Sequence, residues 1–115
     1  MYQYVLLPHF NKQFKRLLRK FRNLDNDLDD LMKDFDIKNA QFLGKKLYKI
    51  RLKPSDVPRG RNKSLRVIVF IVKWGELVAP IAIFAKKDKD NLSWKEIVRH
   101  FNIILEELRN YEQDL

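Results

Sequence analysis

The chain has 115 residues, 45% hydrophobic and 34% charged, with 24 Lys plus Arg against 15 Asp plus Glu, a formal net charge of +9. A chain of this size buries one modest core, so a single domain over residues 1–115 is expected and a multidomain enzyme is excluded. Without cysteine there is no disulfide framework, thiolate metal site or cysteine nucleophile, and a reducing, cytoplasmic setting fits best. No apolar run approaches the roughly 20 residues of a membrane span, so no membrane partner is expected. The opening MYQYVLLPHF lacks the cationic leader and long apolar stretch of a secretory signal, and export is not expected.

Tyr2 to Leu7 is β-prone and ends at Pro8, which suits the first turn of a helix. Phe10, Phe14, Leu17, Leu18 and Phe21 then fall on one helical stripe. Asn23 to Asn26 gives a break and a cap. Leu28, Leu31, Met32 and Phe35 form a second stripe, with aspartates in the first turn where the helix dipole favours anions. From Leu47 the period changes to two, with Tyr48, Ile50 and Leu52 on one face and Lys49, Arg51 and Lys53 on the other. The stretch from Pro54 to Ser64 reads as a long basic loop. Leu65 to Lys73 and Leu77 to Ala85 flank Trp74, Gly75 and Glu76 as a hairpin apolar on both faces, hence central or covered. Pro80 lacks an N–H for the ladder, so a bulge or an unpaired edge is predicted there. Ser93 and Glu96 form a capping box, with Leu92 and Ile97 as its hydrophobic staple, and the last helix spans 93–113. The order describes an α+β domain in which an N-terminal strand and a helical hairpin pack on an antiparallel β-meander, followed by a C-terminal helix.

Charge is laid out in blocks. Residues 12–22 hold six cations and no acid, and residues 25–36 hold six aspartates and one lysine. The simplest account is that the outer faces of the helical hairpin meet each other. Residues 45–66 carry nine cations against Asp56 alone, which is nearly the whole net charge. A basic segment this dense attracts phosphate backbones. His9 and His100 are far apart in sequence with no companion at metal-ligand spacing, so they read as core-edge or surface histidines and no metal site is expected. The aspartates of the second helix lack the glycine and closing glutamate of a calcium loop.

Several of these segments resemble the RelE/ParE superfamily of toxins from type II toxin–antitoxin pairs, over about residues 2–92. Phe10, Phe14, Lys15 and Leu18 are similar to the opening of that family's first helix. Leu47-Tyr48-Lys49-Ile50-Arg51-Leu52 resembles its basic strand, and the loop ending in Lys63-Ser64 resembles its basic, glycine-containing loop. Arg66-Val67-Ile68-Val69-Phe70 and Phe84-Ala85-Lys86-Lys87-Asp88 are similar to its following strands. Ser64-Leu65 stands where the family often has Gly-Gly-Tyr, and Asp88, Lys89 and Asp90 stand where several ribonuclease members carry a His or Tyr.

The resemblance implies a RelE-like, ribosome-dependent and metal-independent mRNA endonuclease that inhibits translation and needs no cofactor. Its partners would be a cognate antitoxin, in a hetero-oligomer, and the ribosome with its message. In such a reaction the RNA 2′-hydroxyl attacks the adjacent phosphate, and a guanidinium braces two of the phosphate oxygens as charge builds on them. Arg66 is the first choice for that role, with Lys49, Arg51, Lys86 and Lys87 as further catalytic candidates; crowded lysines lose protons more readily, which makes Lys49, Lys86 or Lys87 the candidate base or acid. Lys45, Lys46, Lys53, Arg59, Arg61 and Lys63 are the candidates for holding RNA. Two other readings use the same residues: a ParE-like, non-enzymatic inhibitor of DNA gyrase, and a basic RNA- or ribosome-binding module without activity. The meander is apolar on both sides, so the side away from the hairpin needs either the C-terminal helix or another chain as cover.

Overall fold

The computed structural model describes residues 2–57, 64–72, 76–85 and 92–113. Its elements are β1 (Gln3–Tyr4), α1 (Pro8–Leu18), α2 (Leu24–Lys33), a 3₁₀ turn (Ile37–Asn39), β2 (Gln41–Gly44), β3 (Leu47–Leu52), β4 (Leu65–Val72), β5 (Leu77–Ala85) and α3 (Trp94–Gln113). The strands form one sheet in the order β1-β5-β4-β3-β2. Pairing is antiparallel except where β1 runs parallel to β5. The meander expected from the hydrophobic pattern is β3-β4-β5, enlarged here by two short edge strands. The N-terminal strand is only two residues long and is held by Gln3 and Val5 N–H groups donating to the Glu76 and Val78 carbonyls.

Each helix is positioned by identifiable residues. Pro8 opens α1, and its N-cap Leu7 has no side-chain cap. The backbone N–H of His9 instead donates to both carboxylate oxygens of Glu107 on α3, at 3.0 and 3.1 Å, placing an anion at the positive end of α1. Phe10 and Phe14 stack at 5.9 Å in the core. In α2 the buried stripe is Leu24, Leu28 and Met32. The capping box at Ser93 and Glu96 forms as the sequence predicts, Glu96 N–H donating to Ser93 Oγ and Ser93 N–H to Glu96 Oε1.

The aspartates of α2 have partners other than the one expected for them. Asp27 accepts from the Ser55 N–H and hydroxyl. Asp29 accepts from the Tyr4 hydroxyl and pairs with Lys33 at 2.8 Å. The bond to Asp29 pushes the Tyr4 phenol up to about 12. Asp27, Asp30 and Asp34 also line a groove with Arg51 and Lys53 of the β3 segment, so the acidic face of the hairpin borders the sheet's cations.

Register settles which side chains share a face, because directly paired residues in an antiparallel ladder point the same way. Ile50, Val67 and Ile83 stand together, as do Leu52, Leu65 and Ala85. That face meets α2, whose Leu31 lines a groove with Phe35 and Ile50. The opposite face carries Leu47, Phe70 and Ala79 at one end and Arg51, Arg66 and Phe84 at the other. Phe101 of α3 packs edge-on against Phe70 at 4.8 Å, so the C-terminal helix covers the apolar end of this second face. Between Ile68 and Val69 the partner on β5 jumps from Ala82 to Pro80, which is the bulge that proline requires.

The β2–β3 hairpin turns on Lys45 and Lys46, both in the left-handed region at φ 51° and 63°, after Gly44 at φ 103°. A two-residue turn of this kind favours Asn-Gly, and a side chain there costs about 1 kcal/mol per residue. Lys46→Gly is therefore expected to raise stability by about 1 kcal/mol in urea unfolding, whereas a loss of stability would show that the lysine makes a compensating contact.

Candidate functional site

β3 and β4 bring three of the predicted residues together. Arg51 pairs directly with Arg66, and Lys49 lies two positions back on the same face, opposite Ile68. Directly opposed residues hold their Cβ atoms about 5 Å apart, and like charges so placed repel. Arg51 is exposed, Lys49 half-buried, and Arg66 only 7% exposed. Arg66 donates from one guanidinium nitrogen to Ser64 Oγ at 2.9 Å and to the Leu65 carbonyl at 3.4 Å. Among the described residues these are its hydrogen-bond partners, and neither is charged. A buried cation of this sort is expensive unless an anion joins it.

The remaining candidates divide. Lys53 follows β3 at the arginine end and lines the groove with Asp27, Asp30 and Asp34. Lys45 and Lys46 sit on the tight turn at the other end of β3, five or six residues from Arg51 and so about 15–20 Å away along the strand. Arg59, Arg61 and Lys63 of the basic loop, Trp74 and Gly75 of the β4–β5 turn, and Lys86, Lys87, Asp88, Lys89 and Asp90 after β5 lie outside the described residues.

One constellation was not readable from the sequence. His9 and His100, 91 positions apart, are hydrogen-bonded through Nε2 and Nδ1 at 2.7 Å, because α1 and α3 pack side by side. They are a tertiary pair rather than two separate core-edge or surface side chains. The one available signal was position: each lies one residue before an aromatic of its helix's core-facing stripe, Phe10 or Phe101. Burial lowers both imidazoles. His100 falls to about 4, with Arg99 and then His9 adding to the effect and Glu96 opposing it. His9 is lowered against the pull of Glu107, with Arg99 and Lys12 assisting. Among the described residues no group of three His, Asp or Glu side chains is placed to hold a metal ion. Among the described residues no helix is long and apolar enough to cross a membrane.

No protein-family model matches the chain, and no curated protein matches it significantly. Among solved structures it is similar to a mutant of the Escherichia coli toxin RelE in the free state, with a TM-score of 0.51 at 16% identity, over 77% of this chain and 87% of that one. The chain therefore has a RelE-like fold, an α+β arrangement of helices on a five-stranded sheet with a C-terminal helix.

Among the described residues Arg66 has no charged partner, so removing its guanidinium should not weaken the fold. Arg66→Met is expected to leave unfolding free energy unchanged or raise it by about 1 kcal/mol in urea; a loss of several kcal/mol would mean that Arg66 holds the sheet together. The imidazole pair sets a pH dependence. Above the ordinary histidine value of 6.5 both folded and unfolded chains carry neutral imidazoles and the pair contributes nothing. As pH falls from 6.5 toward 4 the unfolded chain takes up protons first, so stability is lost in that window. The melting temperature is expected to drop on the order of 5 °C more for the wild type than for His100→Gln between pH 7 and pH 4.5; parallel curves would contradict the assignment.

Proposed function

We propose that this chain is a RelE-like toxin of a type II toxin–antitoxin pair that cleaves messenger RNA on the ribosome without a metal. The observation that supports the reading is the sheet face where buried Arg66, which lacks a charged partner among the described residues, stands opposite Arg51 and beside Lys49. A phosphodiester brought to that face meets two guanidinium groups, each able to bridge two oxygens through parallel hydrogen bonds. The attack of a 2′-hydroxyl on the neighbouring phosphate builds negative charge on those oxygens, and donors already fixed by the sheet stabilise it without reorganising. Arg66 takes the bracing role because its own surroundings fix it: Ser64 and the Leu65 carbonyl hold one edge of the guanidinium.

Proton transfer falls to the amines of Lys49, Lys86 or Lys87: a neutral amine takes the 2′-hydroxyl proton as its oxygen bonds phosphorus, and a protonated one gives a proton to the 5′-oxygen as its bond to phosphorus breaks, leaving a 2′,3′-cyclic phosphate. Lys45, Lys46, Lys53, Arg59, Arg61 and Lys63 hold the RNA on either side through its phosphates. The ribosome supplies the message, and an antitoxin segment neutralises the toxin by covering these cations. Exposed Phe42 on the edge strand β2, 62% accessible and tilted against Tyr48 at 5.3 Å, offers such a segment an apolar anchor.

The test is primer extension on message from translating ribosomes. The wild type is expected to produce new message ends, and Arg66→Ala to lower their rate by at least about 100-fold, the scale of losing one oxyanion donor, while still binding ribosomes. Intact message with the wild type, or unchanged cleavage by Arg66→Ala, would overturn the proposal. Inhibition of gyrase supercoiling without message cleavage would favour the ParE-like alternative.

A further inference from the structure

A second cationic feature lies between α1 and α3 over the end of β5, and it meets the arginine face at Phe84, the register partner of Arg66. There a cleft of about 500 Å³ is lined by side chains of all three elements. Its volume falls within the usual range of about 300–1,000 Å³ for small-molecule sites. Lys12 and Arg16 enter it from α1 and Arg99 from α3. Among the described residues none of the three is in an ion pair and no carboxylate lines the cleft. The floor is apolar, formed by Leu17, Ile83 and Phe84.

The cleft is also held in shape before anything binds. The Gln13 side chain donates to the Ile81 carbonyl and accepts from the Ile83 N–H, tying α1 to β5. The hydrogen bond between His9 and His100 ties α1 to α3 at the cleft wall. Three like charges around one cleft repel one another, and an anion between them removes that repulsion.

We propose that this cleft is a nucleotide site, in which Lys12, Arg16 and Arg99 hold a phosphate and the apolar floor formed by Leu17, Ile83 and Phe84 carries the base. Two guanidinium groups suit a phosphate's oxygens, and a flat ring suits an apolar floor. The cleft shares none of Lys49, Arg51 or Arg66 and touches their face at Phe84 alone among the described residues. The nucleotide is either free or one residue of an RNA strand, and the chemistry of recognition is the same for both.

The chain's two histidines both line this cleft, so their ring signals in NMR report on it alone. Full-length protein is titrated with AMP, adenosine, inorganic phosphate and a six-nucleotide RNA. AMP is expected to shift both imidazoles saturably and more tightly than adenosine or phosphate does. Arg16→Ala and Arg99→Ala are each expected to weaken AMP binding by at least about tenfold, equivalent to about 1.4 kcal/mol. Arg66→Ala leaves AMP binding unchanged, which separates this site from the one proposed for message cleavage. Tighter binding of the hexamer than of AMP identifies a nucleotide within a strand, and equal or weaker binding identifies a free nucleotide. If neither AMP nor the hexamer moves the imidazole signals, or if the Arg16→Ala and Arg99→Ala variants bind AMP as the wild type does, the proposal is overturned.

Discussion

Two arginines stand directly across from each other in the middle of a folded sheet, and the behaviour of the molecule turns on that placement. Arg51 and Arg66 are register partners on β3 and β4, and Arg66 is nearly buried. Sheets normally place opposite charges, or none, at such a pair. Among the described residues Arg66 bonds neutral oxygens, while Arg51 lies in the groove lined by Asp27, Asp30 and Asp34. Under the proposed function this arrangement is a demand for an anion, and a phosphodiester is one whose oxygens two guanidinium groups can bridge.

The rest of the fold keeps that demand local. One side of the sheet is covered by α2 through Ile50 and its neighbours, and the apolar end of the other side by α3 through Phe101 on Phe70. What α3 leaves to the cations is the end where Arg51, Arg66 and Phe84 share a face. The bulge forced by Pro80 shifts the register of β5 by one residue just before that end, so it also decides that Phe84, rather than Ile83, stands beside Arg66. Glu107 and the histidine pair then fix α3 against α1 at the far edge.

Features set by local pattern were legible in the sequence, and features set by distant packing were not. The two-residue alternation of Tyr48, Ile50 and Leu52 against Lys49, Arg51 and Lys53 already placed the cations on one face. The Ser93–Glu96 box marked where α3 begins. β2 escaped notice because it is four residues long and turns on Lys45-Lys46, a pair that carries none of the usual signals of a tight turn. β1 was expected to run to Leu7 but pairs over two residues, its pairing ending at Tyr4 and Val78 although β5 continues to Ala85. For the arginine face, alternation gave the side of the sheet. It gave neither the direct opposition of Arg51 and Arg66 nor the burial of Arg66, both of which depend on how β3 and β4 align. The histidine pair is purely tertiary, and so is the placing of α2's aspartates beside Arg51 and Lys53 rather than against α1.

The most direct measurement is of the two guanidinium groups themselves. Their Nε–Hε signals in NMR can be followed while the protein is titrated with a dinucleotide whose 2′-hydroxyl is methylated, so that it binds without being cleaved. If Arg51 and Arg66 jointly receive a phosphodiester, both signals move together along one saturation curve, and Arg51→Ala weakens the response at Arg66. Signals that stay fixed at saturating dinucleotide, or an Arg66 response indifferent to the loss of Arg51, would contradict the account.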